Sequence, residues 1–168
     1  MSGNENGILF HERQYFAPWV YVTLLGSTSL PILLTLARPD SGGMLLPASS
    51  AIGVMVLVFV LLGVMDTAVY ADRVVVTFGL LRLIKFTLTL SEVTAVVARK
   101  YAPIGEFGGW GIRGFDNKRA LNMRGTFGAE LTLQKPTKQG GTKTSTMMIG
   151  SQRSEALAEA ITQAMAGR

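Results

Sequence analysis

Residues 48–65 read ASSAIGVMVLVFVLLGVM, an apolar run without a charged side chain. An amphipathic helix shows a polar stripe, and residues 54–65 show none. Length and lack of charge are typical of a transmembrane helix. The stretch therefore predicts a membrane-spanning helix from about residue 48 to residue 69, and the interpretation of the rest of the chain follows from it.

A second apolar segment precedes this one. Residues 16–36 carry no charge, and as a helix they would span about 31 Å, the thickness of a hydrocarbon core. Pro31 should kink that helix. A signal peptide would have a shorter apolar core and a basic start, whereas fifteen mixed residues come first here. Two buried helices of a soluble protein are the alternative, which the missing polar stripe disfavours.

The short connector 37–47 makes the two segments antiparallel, so both chain ends lie on one side. Only Arg38 is basic within the connector, and positive residues stay inside. We therefore expect a multi-pass membrane protein with both termini in the cytoplasm. Asp66 would lie at the interface. The basic residues that flank the membrane on the side of the termini are Arg13, Arg73, Arg82 and Lys85.

Composition divides the chain of 168 residues in two. Overall 48% of residues are hydrophobic and 16% are charged, against about 25% charged in an average soluble domain. Residues 72–168 hold 14 basic and 7 acidic side chains, whereas residues 1–71 hold 2 basic and 4 acidic side chains. The domain prediction is a cytoplasmic juxtamembrane segment at 1–15, a two-helix hairpin at 16–70 and a cytoplasmic domain at 72–168.

Beyond residue 72 the hydrophobic pattern has period two, which predicts strands. The pattern then changes to that of a helix at about 155–166, with an apolar stripe. Seven short antiparallel strands make a bent sheet or partly open barrel, and a terminal helix would cover its open end. The predicted strands are 73–78, 83–90, 92–101, 110–115, 119–124, 129–134 and 143–150.

The chain resembles bacterial membrane proteins that carry a pleckstrin-homology-like (PH-like, bPH) domain behind a two-helix hairpin. The resemblance covers nearly the whole chain, and it implies architecture more than mechanism. It also implies a location in the bacterial inner (plasma) membrane. The fold class it implies is a membrane-anchored α+β protein: a transmembrane hairpin, then a seven-stranded antiparallel β-barrel or sandwich capped by a C-terminal helix. Its motifs are HERQYFAPW (11–19), LTLSEVTAV (88–96), FGGWGIRG (107–114), RALNMRG (119–125) and MIGSQRSEALAEAI (148–161).

Within residues 107–114, three glycines match G-x-G-x-x-G, the fingerprint of a phosphate-binding turn. In a dinucleotide-binding unit that turn opens a helix, but here a turn and a strand follow. We therefore expect that this loop binds no nucleotide and that its glycines permit positive φ angles or close approach of the backbone.

The same loop carries the candidate partner contacts Tyr101, Phe107, Trp110 and Arg113. Aromatic residues and arginine dominate contact energies in protein interfaces. Alternation favours a core position for Trp110 and leaves Phe107 and Arg113 as the exposed pair.

The candidate contacts to anionic lipid are Arg13, Arg73, Arg82 and Lys85, because basic residues near an anionic membrane surface are attracted to it. The first hairpin of the domain offers only Arg82 and Lys85, which disfavours recognition of a specific phosphoinositide. The positive charges are scattered, so nucleic acid is not an expected partner.

No catalytic constellation is visible, and we expect neither an enzyme nor a cofactor or metal. Cysteine is absent, and the only histidine, His11, stands next to Glu12 where lipid headgroups are expected. The first functional prediction is a membrane-tethered interaction or scaffolding module, an accessory subunit of a larger membrane assembly, with lipids and other membrane proteins as partners. The alternative is a domain that senses anionic headgroups.

Overall fold

The computed structural model describes residues 7–37, 45–115, 117–136 and 141–167. The first six residues and most of the predicted connector 37–47 lie outside this part. The elements in chain order are β1 (Ile8–Tyr15), α1 (Pro18–Leu36), α2 (Leu45–Leu62), β2 (Val64–Tyr70), β3 (Arg73–Phe78), β4 (Ile84–Thr89), a 3-10 turn (Leu90–Glu92), β5 (Val93–Lys100), α3 (Pro103–Phe107), β6 (Gly111–Phe115), β7 (Lys118–Asn122), β8 (Phe127–Pro136), β9 (Thr142–Gly150) and α4 (Ser154–Ala166).

The described strands form two sheets. Four antiparallel strands lie in the order β1-β2-β3-β4, and five lie in the order β5-β8-β9-β7-β6, where β7 and β9 run parallel. The seven strands predicted beyond residue 72 coincide closely with β3 to β9, and the predicted terminal helix coincides with α4.

The predicted membrane anchor is wrong. Among the described residues, neither α1 nor α2 nor any other helix combines the length and the hydropathy needed to cross a bilayer. The transmembrane hairpin, the inner-membrane localisation and the resemblance to hairpin-anchored membrane proteins are therefore not supported. One local reason is that the second apolar run does not stay helical: α2 ends at Leu62, and residues 64–70 are a strand.

The predicted fold class is also wrong. The PH-like seven-stranded barrel or sandwich omitted β1, which lies in the predicted juxtamembrane segment, and β2, which lies in the predicted hairpin. Strand β2 pairs with β1 on one side and β3 on the other, so the boundary predicted at residues 71–72 falls inside a sheet. The architecture is α+β, with two sheets that do not close on each other.

The core lies between the two sheets and α4. One hydrophobic cluster contains Phe78 of the four-stranded sheet, Leu131 of the five-stranded sheet and Leu157 of α4, all of them almost completely buried. The buried stripe of α4 is Leu157, Ala160, Ile161 and Ala164, because residues three and four apart share one helix face. Burial of apolar surface by α4 thus joins the sheets.

Strand β1 is held to the start of α4 by a buried carboxylate. Glu12 accepts hydrogen bonds from Ser151 Oγ at 2.5 Å and from the backbone N–H of Gln152 at 3.0 Å. Its side chain therefore lies inside the protein, and the prediction of a headgroup position for Glu12 does not hold. This attachment fixes where the opposite face of β1 points.

Candidate functional site

The outer face of the four-stranded sheet collects polar and basic side chains. Cross-strand register places Arg13, Asp66, Thr77 and Lys85 in one row across β1, β2, β3 and β4. Residues directly opposite each other in paired strands have neighbouring side chains on the same face. His11 belongs to the next row. We call Arg13, Asp66, Thr77, Lys85, His11 and the adjacent Arg82 the Asp66 site.

Asp66 is the centre of this site and is only 6% exposed. Arg13 donates from Nε to Oδ1 at 2.7 Å and from Nη2 to Oδ2 at 2.9 Å. Arg82 donates from Nε to Oδ2 at 3.1 Å, with its Nη2 at 3.0 Å from the same oxygen. His11 Nε2 lies 3.7 Å from Oδ1. The Asp66 carboxylate therefore accepts hydrogen bonds from two guanidinium groups and lies next to an imidazole.

Burial by itself raises the pKa of the Asp66 carboxyl. The hydrogen bonds and charges of Arg13, followed by those of Arg82, outweigh burial, so that this pKa lies below its ordinary value. Asp66 is thus ionised at neutral pH.

Arg82 reaches Asp66 from an unusual backbone conformation. Its φ is +52°, the only positive φ among the described non-glycine residues. Such a conformation costs on the order of 1 kcal/mol or more in a side-chain-bearing residue and persists where surrounding contacts hold it. The neighbouring residues Leu80, Leu81 and Leu83 are all more than half exposed. The β3–β4 turn therefore presents a cation among exposed leucines.

A cavity of about 600 Å³ opens beside these groups. Its volume lies within the range of small-ligand sites, about 300–1,000 Å³. Its lining residues are Ile8, His11, Asp66, Ala68, Tyr70, Val75, Thr77, Arg82 and Lys85.

The structure brings together three of the four residues predicted to contact anionic lipid. Arg13 and Arg82 share Asp66, and Lys85 lines the cavity. Arg73 lies at the far end of β3 and pairs with Asp72 at 2.9 Å. Sequence reasoning missed the central role of Asp66. The sequence gives no signal for β1, because its buried face holds Phe10, Glu12 and Gln14 and therefore lacks apolar–polar alternation.

Two of the four predicted partner contacts, Tyr101 and Phe107, pack against other side chains of the protein. Tyr101 is 3% exposed, and its hydroxyl accepts a hydrogen bond from Asn122 Nδ2 at 2.9 Å. Phe107 lies edge-to-face on Tyr101, with ring centroids 5.9 Å apart, and is half-buried. Together they cover Ala120 and Met148.

The other two predicted contacts border a second surface. Trp110 packs edge-to-face on Trp19 of α1, with centroids 6.1 Å apart, and Arg113 is exposed. A cavity of about 430 Å³ lies there. We call it the tryptophan groove; it is lined by Phe16, Ala17, Trp19, Val20, Ile104, Gly108, Gly109, Trp110, Arg113, Met123, Arg124 and Gly125.

The glycines of the G-x-G-x-x-G match serve the backbone, as predicted. Gly109, Gly111 and Gly114 all have positive φ, and Gly111 begins a strand rather than a helix. A Cβ at Gly114 would lie 2.0 Å from the carbonyl oxygen of Lys118. The tight β6–β7 turn therefore requires glycine at this position.

Within the described ranges, no three His, Asp or Glu side chains are grouped to hold a metal ion. Comparison with protein-family models and with curated proteins finds no match for this chain. Any assignment of function therefore depends on the geometry of the two surfaces.

Proposed function

We propose that this protein is a binding module that recognises an anionic lipid headgroup at the Asp66 site. The observation that carries the proposal is that Arg13 and Arg82 share a single carboxylate beside a cavity that Lys85 also lines. Three permanent cations against one anion leave an excess of positive charge on this face.

The guanidinium groups have hydrogen-bonding capacity to spare. Each guanidinium carries five N–H donors, and Asp66 takes two from Arg13 and one from Arg82. Arg13 and Arg82 are about half exposed, so their remaining donors can reach a ligand. Phosphate oxygens suit such donors because charge-assisted bonds to guanidinium are short and strong. Thr77 adds a hydroxyl to the cavity lining.

The turn that carries Arg82 favours a lipid as the source of the phosphate. Leu80, Leu81 and Leu83 are exposed next to it in the chain. Apolar side chains beside a cation suit an interface where acyl chains and headgroups meet. A free phosphate ion would gain nothing from the three leucines.

The test is flotation of the full chain with phosphatidylcholine vesicles, with and without phosphatidylglycerol. Because α1 and α2 expose apolar side chains, binding to neutral vesicles is the baseline. We expect tighter, salt-sensitive binding to anionic vesicles. Two variants, Arg82→Gly and Lys85→Gln, should each weaken binding to anionic vesicles about fivefold, since one basic residue near the surface contributes about 1 kcal/mol. Glycine is chosen at position 82 because it tolerates the positive φ.

Arg73→Gln is the matched control, since it removes the same charge from the far end of the face, where Arg73 is already paired with Asp72. We expect a smaller effect from it. Equal loss in all three variants would mean general attraction without a site. Equal binding to neutral and anionic vesicles would end the proposal, and competition by inorganic phosphate alone would identify a free ion as the ligand.

Binding of a protein partner is a second proposed function, in line with the interaction role expected from the sequence. The observation in its favour is that Trp19 and Trp110, far apart in the chain, meet at the tryptophan groove beside Arg113. The test compares proteins that co-purify with the wild-type chain and with Trp19→Ala. An unchanged set of proteins would contradict this function.

A further inference from the structure

The walls of the tryptophan groove are apolar and accessible. Trp19 is 56% exposed and Ile104 is 68% exposed, although both are large hydrophobic residues. Exposed apolar side chains that converge on one cavity indicate a place where another molecule packs.

The aromatic wall is held in place before any ligand arrives. Trp110 Nε1 donates to the carbonyl oxygen of Gly125 at 3.1 Å, and Arg113 Nε donates to the carbonyl oxygen of Trp110 at 2.9 Å. The N–H of Gly111 is bonded to Asn122 Oδ1 at 2.8 Å. A groove that is already ordered loses little entropy on binding.

The groove also contains two arginines, Arg113 and Arg124. Among the described residues, neither Arg113 nor Arg124 forms an ion pair. Arg124 Nε is buried and has no hydrogen-bond partner within the described part of the chain. The charge of this guanidinium is therefore not balanced by any described carboxylate, and an anionic ligand in the groove would balance it. The charges of the lining residues are positive throughout.

We propose that the tryptophan groove binds a segment of a partner protein in which a carboxylate stands next to an apolar side chain. The inference rests on the second proposed function, and it specifies the chemistry of the partner. The apolar side chain would pack on Trp19 and Trp110, while the carboxylate would accept hydrogen bonds from Arg113 and Arg124. Tryptophan and arginine are the residues most enriched where interfaces concentrate their binding energy.

The position of Arg124 favours an extended peptide over a membrane surface. Its side chain is half-buried inside the groove, whereas a bilayer presents its phosphates on a broad surface. A single extended chain can place one carboxylate at that depth.

The chain provides its own reporter, because its only two tryptophans are Trp19 and Trp110. The experiment follows tryptophan fluorescence of the full chain during titration with short acetylated and amidated peptides. In each peptide glutamate stands between leucine and phenylalanine, and a counterpart has glutamine instead. We expect a saturable change with the glutamate peptides and binding at least about tenfold weaker with the glutamine peptides, as expected for charge-assisted hydrogen bonds.

Arg113→Gln should weaken binding of the glutamate peptide, and because Arg113 is exposed, this change should leave folding intact. Arg73→Gln is the matched control and should have no effect. The inference is overturned if glutamate and glutamine peptides bind alike, if neither changes the fluorescence, or if only anionic vesicles produce an Arg113-dependent change. If Trp19→Ala loses a co-purifying protein while the glutamate peptides fail, the protein-binding function stands and only the acidic chemistry is wrong.

Discussion

Arg13 donates two parallel hydrogen bonds to Asp66, its direct partner across the β1–β2 ladder, from 53 residues away in the chain. The pair joins the first strand of the fold to the second at the position where Arg82 arrives from the β3–β4 turn. The same contact therefore supports the sheet and aligns the cations of the proposed site.

Asp66→Asn should lower the free energy of unfolding by about 1–3 kcal/mol. The amide keeps the shape of the side chain but leaves Arg13 and Arg82 without a counter-charge. The cost stays below that of a fully buried pair because both arginines are about half exposed. Urea denaturation measures the change. Asp72→Asn, at an exposed pair, should cost less than about 1 kcal/mol; equal costs would show that burial of Asp66 does not matter.

Replacement of Arg82 should separate backbone strain from ion pairing. Arg82→Gly and Arg82→Ala both remove the guanidinium, but only glycine adopts φ +52° readily. We expect the glycine variant to be more stable than the alanine variant by about 1 kcal/mol in urea denaturation. Alanine equal to or better than glycine would show that the turn relaxes when the contact to Asp66 is lost.

The stability of the protein should fall in acid partly through Glu106. Hydrogen bonds from Arg99, followed by the backbone N–H of Ala102, lower the pKa of Glu106 from 4.5 to about 2. Because the folded pKa is the lower one, this contribution is complete above the unfolded pKa. It is lost as the pH falls from 4.5 to about 2.

Glu106→Gln should therefore be less stable than the wild type at neutral pH, and the difference should shrink towards pH 2. Urea midpoints measured across this pH range test the expectation. Glu159→Gln, at an exposed position of α4, is the matched control for the loss of one carboxylate. A pH-independent difference between Glu106→Gln and the wild type would contradict the assignment.

Gly114→Ala should destabilise the β6–β7 hairpin by about 1–3 kcal/mol. The added Cβ would collide with the Lys118 carbonyl oxygen, and the φ of +76° is itself unfavourable for alanine. Gly26→Ala in α1 meets no atom within 4 Å and should be neutral or stabilising by up to about 1 kcal/mol. Thermal unfolding of both variants provides the comparison, and similar melting temperatures would refute the backbone argument.

Much of the local structure was predictable. From Arg73 to Gly150 the alternation of apolar and polar residues predicted the strands, because most of them have one face in the core and one face in solvent. Strand β2 escaped this reasoning. Most of its residues are buried on both faces, namely Val64, Met65, Asp66, Thr67 and Val69. The strand therefore shows no alternation between an apolar and a polar face, and in sequence it reads as a continuation of the apolar run of α2.

By itself, the sequence determined the period-two strands, the amphipathic α4 and the glycines required at positive φ, since these depend on neighbours within a few positions. Only the tertiary structure decided that residues 8–15 and 64–70 are paired strands rather than a juxtamembrane segment and the end of a membrane-spanning helix. It also decided which charges meet. Arg13, Asp66 and Arg82 come from three separate parts of the chain, and strand register brings their side chains into contact; a shift by one residue would send each strand's side chains to opposite faces.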